Sequence, residues 1–337
     1  MKNTLLALVA TAAACAFAPS AALAAECGDV SIAEMDWASA EMIANIDKIV
    51  LEEGYGCDVT LQQGGTTNIF ASMESKGRPD VAPELWINAV RTPLERAKES
   101  GAMIVANENP IESAGEGWWI TPEFAKAHPE IKTVEDMLER PDLVPHPEDP
   151  SKGGFVTCPA GWGCQLANAN LFRAFEMEKK GWKLVDPGSS AGLDGSMTKA
   201  VQRGEPWFGY YWTPTAMIGK NEMVLLPFEA EFAGTEHWNE CIAKPVEDCA
   251  DPKKTAWTAS EINSVVTKEF KEKGGEAALE YLQKRSVPGD VVAEMLVFMA
   301  EEQATGEDAA IEFLKTKEDV WSKWVSSEAA EKIKASL

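Results

Sequence analysis

The hydrophobic positions of the chain alternate between short runs that suit strands and longer stretches with helical spacing. Strand-like runs in the first third of the chain are Asp29–Met35, Asp58–Gln62 and Val81–Asn88. Helix-like stretches follow them at Ala38–Leu51, Thr66–Ser75 and Pro93–Ser100. Strands that alternate with helices predict an α/β fold with a mainly parallel sheet.

The same alternation repeats in a second region. Its predicted strands are Gly117–Thr121, Gly154–Thr157, Trp182–Val185 and Trp207–Trp212. Its predicted helices are Thr133–Leu138, Gln165–Met177 and Ser190–Arg203. From Thr258 onward the pattern predicts helices, the first opened by a capping box of Thr258 and Glu261. We therefore predict two lobes, one formed by residues 26–115 with 214–337 and the other by residues 116–213.

The first 25 residues have the composition of a secretory signal peptide. Lys2 precedes the apolar run Leu5–Phe17, and the small residues Ala22 and Ala24 flank Leu23 at a cleavage site. No later segment offers about 18 apolar residues in a row, as a membrane-spanning helix requires. We therefore expect a protein that is exported to the periplasm.

Removal of Cys15 with the signal peptide leaves six cysteines. An even number in an exported protein favours three disulfides, although the sequence leaves many connectivities open. Local pairing is the simplest: Cys27–Cys57, Cys158–Cys164 and Cys241–Cys249. The chain has no CxxC motif, and its three histidines stand apart from the cysteine pairs. We predict neither a metal site nor a cofactor.

Charge and motifs narrow the class of function. The net charge of −23 makes nucleic acid and anionic membrane surfaces poor partners, and it is compatible with a small cationic or zwitterionic ligand. The sequence contains no nucleophile elbow, phosphate-binding loop, dinucleotide fingerprint or HExxH motif. We therefore predict no enzyme. The alternative from another class is an exported hydrolase that uses a pair of cleft carboxylates.

Tryptophan is the conspicuous residue, with twelve in the chain against four tyrosines. Several lie at the ends of predicted strands, where ligands bind in open α/β sheets: Trp37, Trp86, Trp118, Trp119 and Trp212. An indole face is the best partner for a quaternary ammonium group, which has no N–H to donate. For any single tryptophan, core packing is the alternative. The placement of several at strand ends favours an aromatic box for a methylated cation.

Four segments carry a resemblance to a known family. They are VSIAEMDWASAEM with Trp37, DVAPELWINAV with Trp86, GEGWWI with Trp119 and FGYYWTP with Trp212. The chain resembles the substrate-binding proteins of ABC importers for glycine betaine, choline and related solutes. The resemblance implies a type II periplasmic binding protein fold with two lobes, a hinge and an interlobe ligand cleft. It also implies that these four indoles contact the ligand. Trp119 is favoured at its position, and Trp118 would then pack into its own lobe, but alternation along a strand does not decide which of the two faces the cleft.

Three further residues are candidates for the same site. Trp162, in the loop CPAGWGC at 158–164, lies just before a predicted helix, whose first N–H groups suit an anionic oxygen of the ligand. Its indole is a candidate further wall of the box. Glu84 lies two residues before Trp86, on the same strand face, and could attract the cation or bond a protonated oxygen. Glu116 is a second candidate for that role.

The ligand suggested by the resemblance is a small trimethylammonium osmolyte. Choline binders of this type carry Asp two residues after the first cage aromatic, where this chain has Ser39. Glycine betaine and trimethylamine N-oxide are therefore favoured over choline, and the additional tryptophans favour the very small N-oxide. A sulfonium such as dimethylsulfoniopropionate remains an alternative ligand. The expected partners are the permease and ATPase of an ABC importer, engaged by a monomeric binding protein.

Overall fold

The computed structural model describes residues 27–112 and 114–337. The predicted signal peptide, including Cys15, lies outside these residues. Two five-stranded sheets, each flanked by helices, form the cores of two lobes. The predicted α/β fold with two lobes is confirmed.

The elements are named here in chain order. The strands are β1 (Asp29–Met35), β2 (Asp58–Gly64), β3 (Val81–Trp86), β4 (Met103–Asn107), β5 (Gly115–Ile120), β6 (Gly153–Val156), β7 (Trp182–Val185), β8 (Phe208–Thr213), β9 (Val224–Leu226) and β10 (Ile262–Thr267). The helices are α1 (Ala38–Ile49), α2 (Thr66–Lys76), α3 (Arg91–Glu99), α4 (Pro122–Ala127), α5 (Val134–Leu138), α6 (Gly163–Ala174), α7 (Ser190–Arg203), α8 (Ala216–Lys220), α9 (Thr235–His237), α10 (Lys268–Lys284), α11 (Gly289–Glu302), α12 (Gly306–Thr316), α13 (Glu318–Trp321) and α14 (Ser327–Ser336).

The first lobe contains the sheet with strand order β2-β1-β3-β10-β4. Strand β1 is parallel to β2 and β3, so the carboxyl ends of β1 and β3 meet at one edge of the sheet. The prediction of helix from Thr258 onward is wrong at its start, because residues 262–267 form β10, antiparallel to β3 and β4. Every residue of β10 is buried, and its β-branched positions suit a central strand better than the first turn of a helix.

The second lobe contains the sheet with strand order β7-β6-β8-β5-β9. Strand β6 is parallel to β7 and β8, whereas β5 is antiparallel to β8 and β9. Because β9 pairs with β5, the second sheet extends past residue 213, where the predicted lobe boundary was drawn. The amide of Asn170 in α6 also donates to the carbonyls of Cys241, Ile242 and Lys244. The segment around residues 241–244 therefore packs on the second lobe.

Three disulfides reinforce the two lobes. They join Cys27 to Cys57, Cys158 to Cys164 and Cys241 to Cys249, which are the local pairs. In the part of the chain that the structure describes, no helix is long and apolar enough to span a membrane. The same residues contain no cluster of His, Cys, Asp or Glu side chains that could hold a metal ion.

Candidate functional site

A cavity lies between the two lobes, at the carboxyl ends of β1 and β3 and beside the first turn of α6. It contains about 480 Å³ of empty space, part of it open to solvent. Seven of its fifteen lining residues are aromatic: Trp37, Trp86, Trp162, Trp212, Trp238, Trp257 and Tyr210. Polar groups reach it from only a few positions, among them Thr66, Asn88 and Glu116. Such a cavity suits a small ligand with an apolar surface and few hydrogen bonds.

Six of these rings form a continuous series of contacts. The ring centroids of Trp37 and Trp162 are 5.2 Å apart at 71°, and those of Trp162 and Trp212 are 5.2 Å apart at 80°. Tyr210 stacks on Trp212 at 6.4 Å and contacts Trp257 at 5.4 Å. Trp257 in turn lies 5.3 Å from Trp238. The nearly perpendicular neighbours form corners, so the series encloses space as the walls of a box do.

Four of the predicted cage residues line this cavity. Trp37 follows β1, Trp86 ends β3, Trp162 precedes α6 and Trp212 lies in β8. They come from both lobes, and the structure brings their rings together. The strand-end argument applies directly to Trp37 and Trp86, because β1 and β3 are parallel neighbours.

Trp119 does not line the cavity, and this expectation is corrected. Residues that pair across β5 and β8 lie on the same face of the sheet. Glu116 pairs with Trp212, and Trp118 pairs with Tyr210. The cavity side of β5 is therefore the face of Glu116 and Trp118. Trp119 points to the opposite face, and its Nε1 donates to the carbonyl of Tyr211 at 3.0 Å.

Trp118 lies on the cavity side of β5 but deeper in the second lobe. It is fully buried, and its ring lies 4.5 Å from that of Phe155 and 5.8 Å from that of Phe208. Its Nε1 donates to Asn168 of α6 at 2.9 Å. Trp118 therefore packs in its own lobe, as expected, and the adjacent tryptophans both support the sheet.

Glu84 lies behind the cage and does not line the cavity. One of its oxygens, Oε1, accepts hydrogen bonds from Trp37 Nε1 at 2.7 Å and Trp86 Nε1 at 3.0 Å. The same oxygen accepts from Ser39 Oγ at 2.9 Å. Burial raises the pKa of Glu84 to about 7, although these hydrogen bonds and the charge of Arg285 oppose the shift. The expected direct contact between Glu84 and a ligand is not supported by this position.

Glu116 is the carboxylate that lines the cavity. Its Oε1 accepts from Tyr210 Oη at 2.8 Å, and its Oε2 accepts from Asn88 Nδ2 at 2.7 Å and Ser260 Oγ at 3.0 Å. Burial raises the pKa of Glu116, and these hydrogen bonds act in the opposite direction. Asn88 and Ser260 belong to the first lobe, so Glu116 also links the two lobes.

The first turn of α6 faces the cavity through Gly163 and Cys164. Trp162 occupies the N-cap position, and no side chain caps the helix. The first N–H groups of a helix lack partners within it and carry the positive end of its dipole. This end of the cavity is therefore suited to an anionic oxygen.

The loop before α6 joins the two lobes beside the cavity. The carbonyl of Gly161 accepts hydrogen bonds from Thr67 N at 3.1 Å and Thr67 Oγ1 at 2.9 Å. Trp162 Nε1 donates to Asp36 Oδ1 at 2.7 Å. Thr67 lies in the first turn of α2, whose N-cap Gly65 has no side chain to serve as a cap. A carbonyl of the second lobe thus caps a helix of the first lobe.

Sequence reasoning missed three aromatic residues of the cavity: Tyr210, Trp238 and Trp257. Trp238 lies in a helical turn near the disulfide Cys241–Cys249, and its Nε1 donates to the carbonyl of Asn88 at 3.2 Å. Trp238 lies three residues before the short disulfide loop Cys241–Cys249, and Trp162 lies within the loop Cys158–Cys164, so each tryptophan is close in sequence to a small disulfide ring. That repeated association of tryptophan with a small disulfide ring was the available signal.

Comparison with solved structures supports the fold. An ABC-transporter choline-binding protein in complex with choline matches with a TM-score of 0.69 and 16% identity, over 92% of this chain and 98% of that one. Lactococcal OpuAC, closed and complexed with glycine betaine, matches with a TM-score of 0.64 and 18% identity, over 89% and 100%. The glycine betaine/L-proline-binding protein ProX from Borrelia burgdorferi matches with a TM-score of 0.69 and 15% identity, over 90% and 99%.

A family model covers most of the chain. The model of OpuAC, the substrate-binding domain of ABC-type glycine betaine transport systems, matches residues 28–316. This range includes both sheets and every aromatic residue of the cavity. The proteins of this family bind substrates for transport, and the chain belongs to the OpuAC family of ABC-transporter substrate-binding domains.

Proposed function

We propose that this protein binds a small trimethylated ammonium solute, glycine betaine or trimethylamine N-oxide, in the aromatic cavity between its lobes. The observation that carries the proposal is the continuous series of rings from Trp37 to Trp238. A trimethylammonium group spreads its charge over methyl groups and cannot donate an N–H hydrogen bond. Indole faces stabilise such a cation better than a carboxylate alone would.

The number of available rings is consistent with useful affinity. A desolvated cation–π contact contributes up to about 2 kcal/mol, so three or four faces contribute about 6–8 kcal/mol before ordering costs. A free energy of about 8 kcal/mol corresponds to micromolar binding. The aromatic wall therefore supplies a gross free energy of the size that micromolar binding requires.

The polar ends of the cavity support a dipolar ligand. The N–H groups at the start of α6, at Gly163 and Cys164, would receive the carboxylate of betaine or the oxygen of the N-oxide. Glu116 contributes negative charge that favours the cationic end. Ser39, at the position where choline binders carry Asp, donates its hydroxyl proton to Glu84 and does not line the cavity, so it offers no carboxylate to a choline hydroxyl.

The proposed role is delivery of this solute to the permease and ATPase of an ABC importer after export to the periplasm. The family assignment supports work with an ABC transporter. The sequence of the first 25 residues supports export. We expect no covalent chemistry, because the family is one of substrate-binding domains for transport.

Calorimetric titration of the purified protein with glycine betaine, trimethylamine N-oxide, choline and dimethylsulfoniopropionate tests the proposal. We expect saturable micromolar binding of glycine betaine or the N-oxide at one site, with choline weaker. Dimethylsulfoniopropionate also carries a methylated cation, a sulfonium in place of an ammonium. Its affinity relative to glycine betaine shows whether the cage accepts a sulfonium. Absence of binding by all four solutes would contradict the proposed function.

A further inference from the structure

A single buried carboxylate oxygen holds two walls of the cage. Oε1 of Glu84 accepts from the indole N–H groups of Trp37 and Trp86, which lie at the ends of neighbouring strands, and from Ser39 Oγ. Glu84 is only 1% exposed and does not line the cavity. Its second oxygen, Oε2, has no hydrogen-bond partner among the described residues. A buried carboxylate satisfied mainly by two indoles indicates a role in setting their positions.

The charge of this carboxylate acts on the faces of the rings. A hydrogen bond from an N–H group to an ionised carboxylate is shorter and about twice as strong as a neutral one. In a low-dielectric interior such a bond also polarises its donor. When an indole N–H group donates to an anion, electron density shifts from the N–H bond towards the indole ring. The face of the ring becomes more negative, and this face is the one that attracts a cation. Above its pKa of about 7, where Glu84 is ionised, its negative charge behind Trp37 and Trp86 therefore strengthens both faces.

The position of Trp37 is transmitted to other walls. Its ring packs edge-on against Trp162, and Trp162 packs in the same manner against Trp212. Trp162 and Trp212 belong to the second lobe, whereas Trp37 and Glu84 belong to the first. A displaced Trp37 would therefore disturb the cage across the interface between the lobes.

We propose that Glu84 is the positioning residue of the cage, which fixes the rings of Trp37 and Trp86 and places a negative charge behind both. The first part of this proposal, the orientation of the two indoles by Glu84, holds for the ligand-free protein. The second part, the effect of Glu84 on ligand affinity, rests on the proposed function. The two parts can therefore be tested separately.

The first test is independent of any ligand. Heteronuclear NMR of the ligand-free protein reports the two indole N–H groups, with signals assigned through Trp37→Phe and Trp86→Phe. The spectra are recorded at a pH well above 7, where Glu84 is ionised. We expect both signals to move upfield in Glu84→Gln, because a neutral amide is a weaker acceptor than a carboxylate. The matched control is Asp80→Asn, which neutralises a buried carboxylate bonded to Ser31 and Lys273 next to β3. It should leave both signals in place.

The second test measures affinity for glycine betaine by calorimetry. We expect Glu84→Gln to weaken binding about tenfold and Asp80→Asn to change it less than twofold. Unmoved indole signals in Glu84→Gln would overturn the proposal, and so would equal losses of affinity in the two variants. Failure of the wild-type protein to bind any methylated solute would overturn the proposed function alone, since the NMR result would still decide the role of Glu84.

If Glu84→Gln does not fold, the two indole N–H signals of the wild-type protein are followed by NMR over a series of pH values instead. Arg285 is the charged group that attracts Glu84. Burial raises the pKa of Glu84 to about 7, so lowering the pH through neutrality protonates Glu84 and removes the negative charge, and the Trp37 and Trp86 signals should move upfield together with one midpoint. Signals that titrate separately, or not at all, would overturn the proposal.

Discussion

Replacing Trp212 by alanine is expected to lower the affinity for glycine betaine at least about thirtyfold. The ring of Trp212 lies between Trp162 and Tyr210 in the aromatic series, so its loss opens the box in the middle. One desolvated cation–π face contributes about 2 kcal/mol, which corresponds to about thirtyfold in affinity. Calorimetric titration of the variant measures the effect, and thermal unfolding verifies that the variant is folded.

Two further variants separate the ring face from general packing. Trp212→Leu keeps part of the apolar volume that Trp212→Ala loses but also removes the π face, and it should bind nearly as weakly as Trp212→Ala. Trp182→Phe alters a buried indole of the second lobe whose Nε1 donates to the carbonyl of Leu138. It should lower stability and leave affinity within twofold. Trp212 would not be a wall of the cage if Trp212→Ala also retained affinity within twofold.

Replacing Gly65 by alanine is expected to weaken binding about thirtyfold through the contact between the lobes. A Cβ at Gly65 would lie 2.7 Å from the carbonyl oxygen of Gly161, which caps α2 from the second lobe. The φ of Gly65 is −87°, so alanine fits the backbone of its own lobe. The cost is the overlap together with the strained bonds to Thr67, about 2 kcal/mol in all.

The matched control for Gly65→Ala is Gly195→Ala. Gly195 lies in α7, and a Cβ added there would meet no atom within 4 Å. This variant should bind glycine betaine as the wild-type protein does. Small-angle scattering with and without glycine betaine measures how far the protein becomes more compact on binding. The wild-type protein and Gly195→Ala should become equally compact, and Gly65→Ala should become less compact than both. Normal affinity in Gly65→Ala would exclude the Gly161 contact as a determinant of binding.

The first part of the cage could be predicted because the parallel strands that carry it end at the same edge of one sheet. Trp37 and Trp86 end parallel neighbours, and such ends lie at one edge of a sheet whatever the details of packing. Trp162 was identified by its disulfide loop and the helix after it. These features are local in sequence, so no knowledge of register was needed to find them.

The choice between Trp118 and Trp119 could not be made from sequence, because alternation in a strand gives two faces without saying which one is the cleft. The register of β5 with β8 decides it, and that register is a tertiary property. Trp238 and Trp257 were missed for another reason. They lie in the largely irregular segment between β9 and β10, to which neither a helical nor a strand period applies.

The cage hypothesis depends on charge as well as on shape, and these can be separated with a pair of ligands. Tert-butylacetate, the carboxylate 3,3-dimethylbutanoate and not the ester, has the shape of glycine betaine. It carries a neutral tert-butyl group in place of trimethylammonium. Both ligands present the same carboxylate to the first turn of α6. A purely apolar cavity would hold the neutral group at least as well, because that group costs less to dehydrate.

The most direct test of the account is therefore calorimetric titration of the wild-type protein with glycine betaine and tert-butylacetate under the same conditions. Contacts of the cation with several indole faces predict that glycine betaine binds at least about tenfold more tightly. Equal affinities, or tighter binding of tert-butylacetate, would contradict recognition of a methylated cation by this cage.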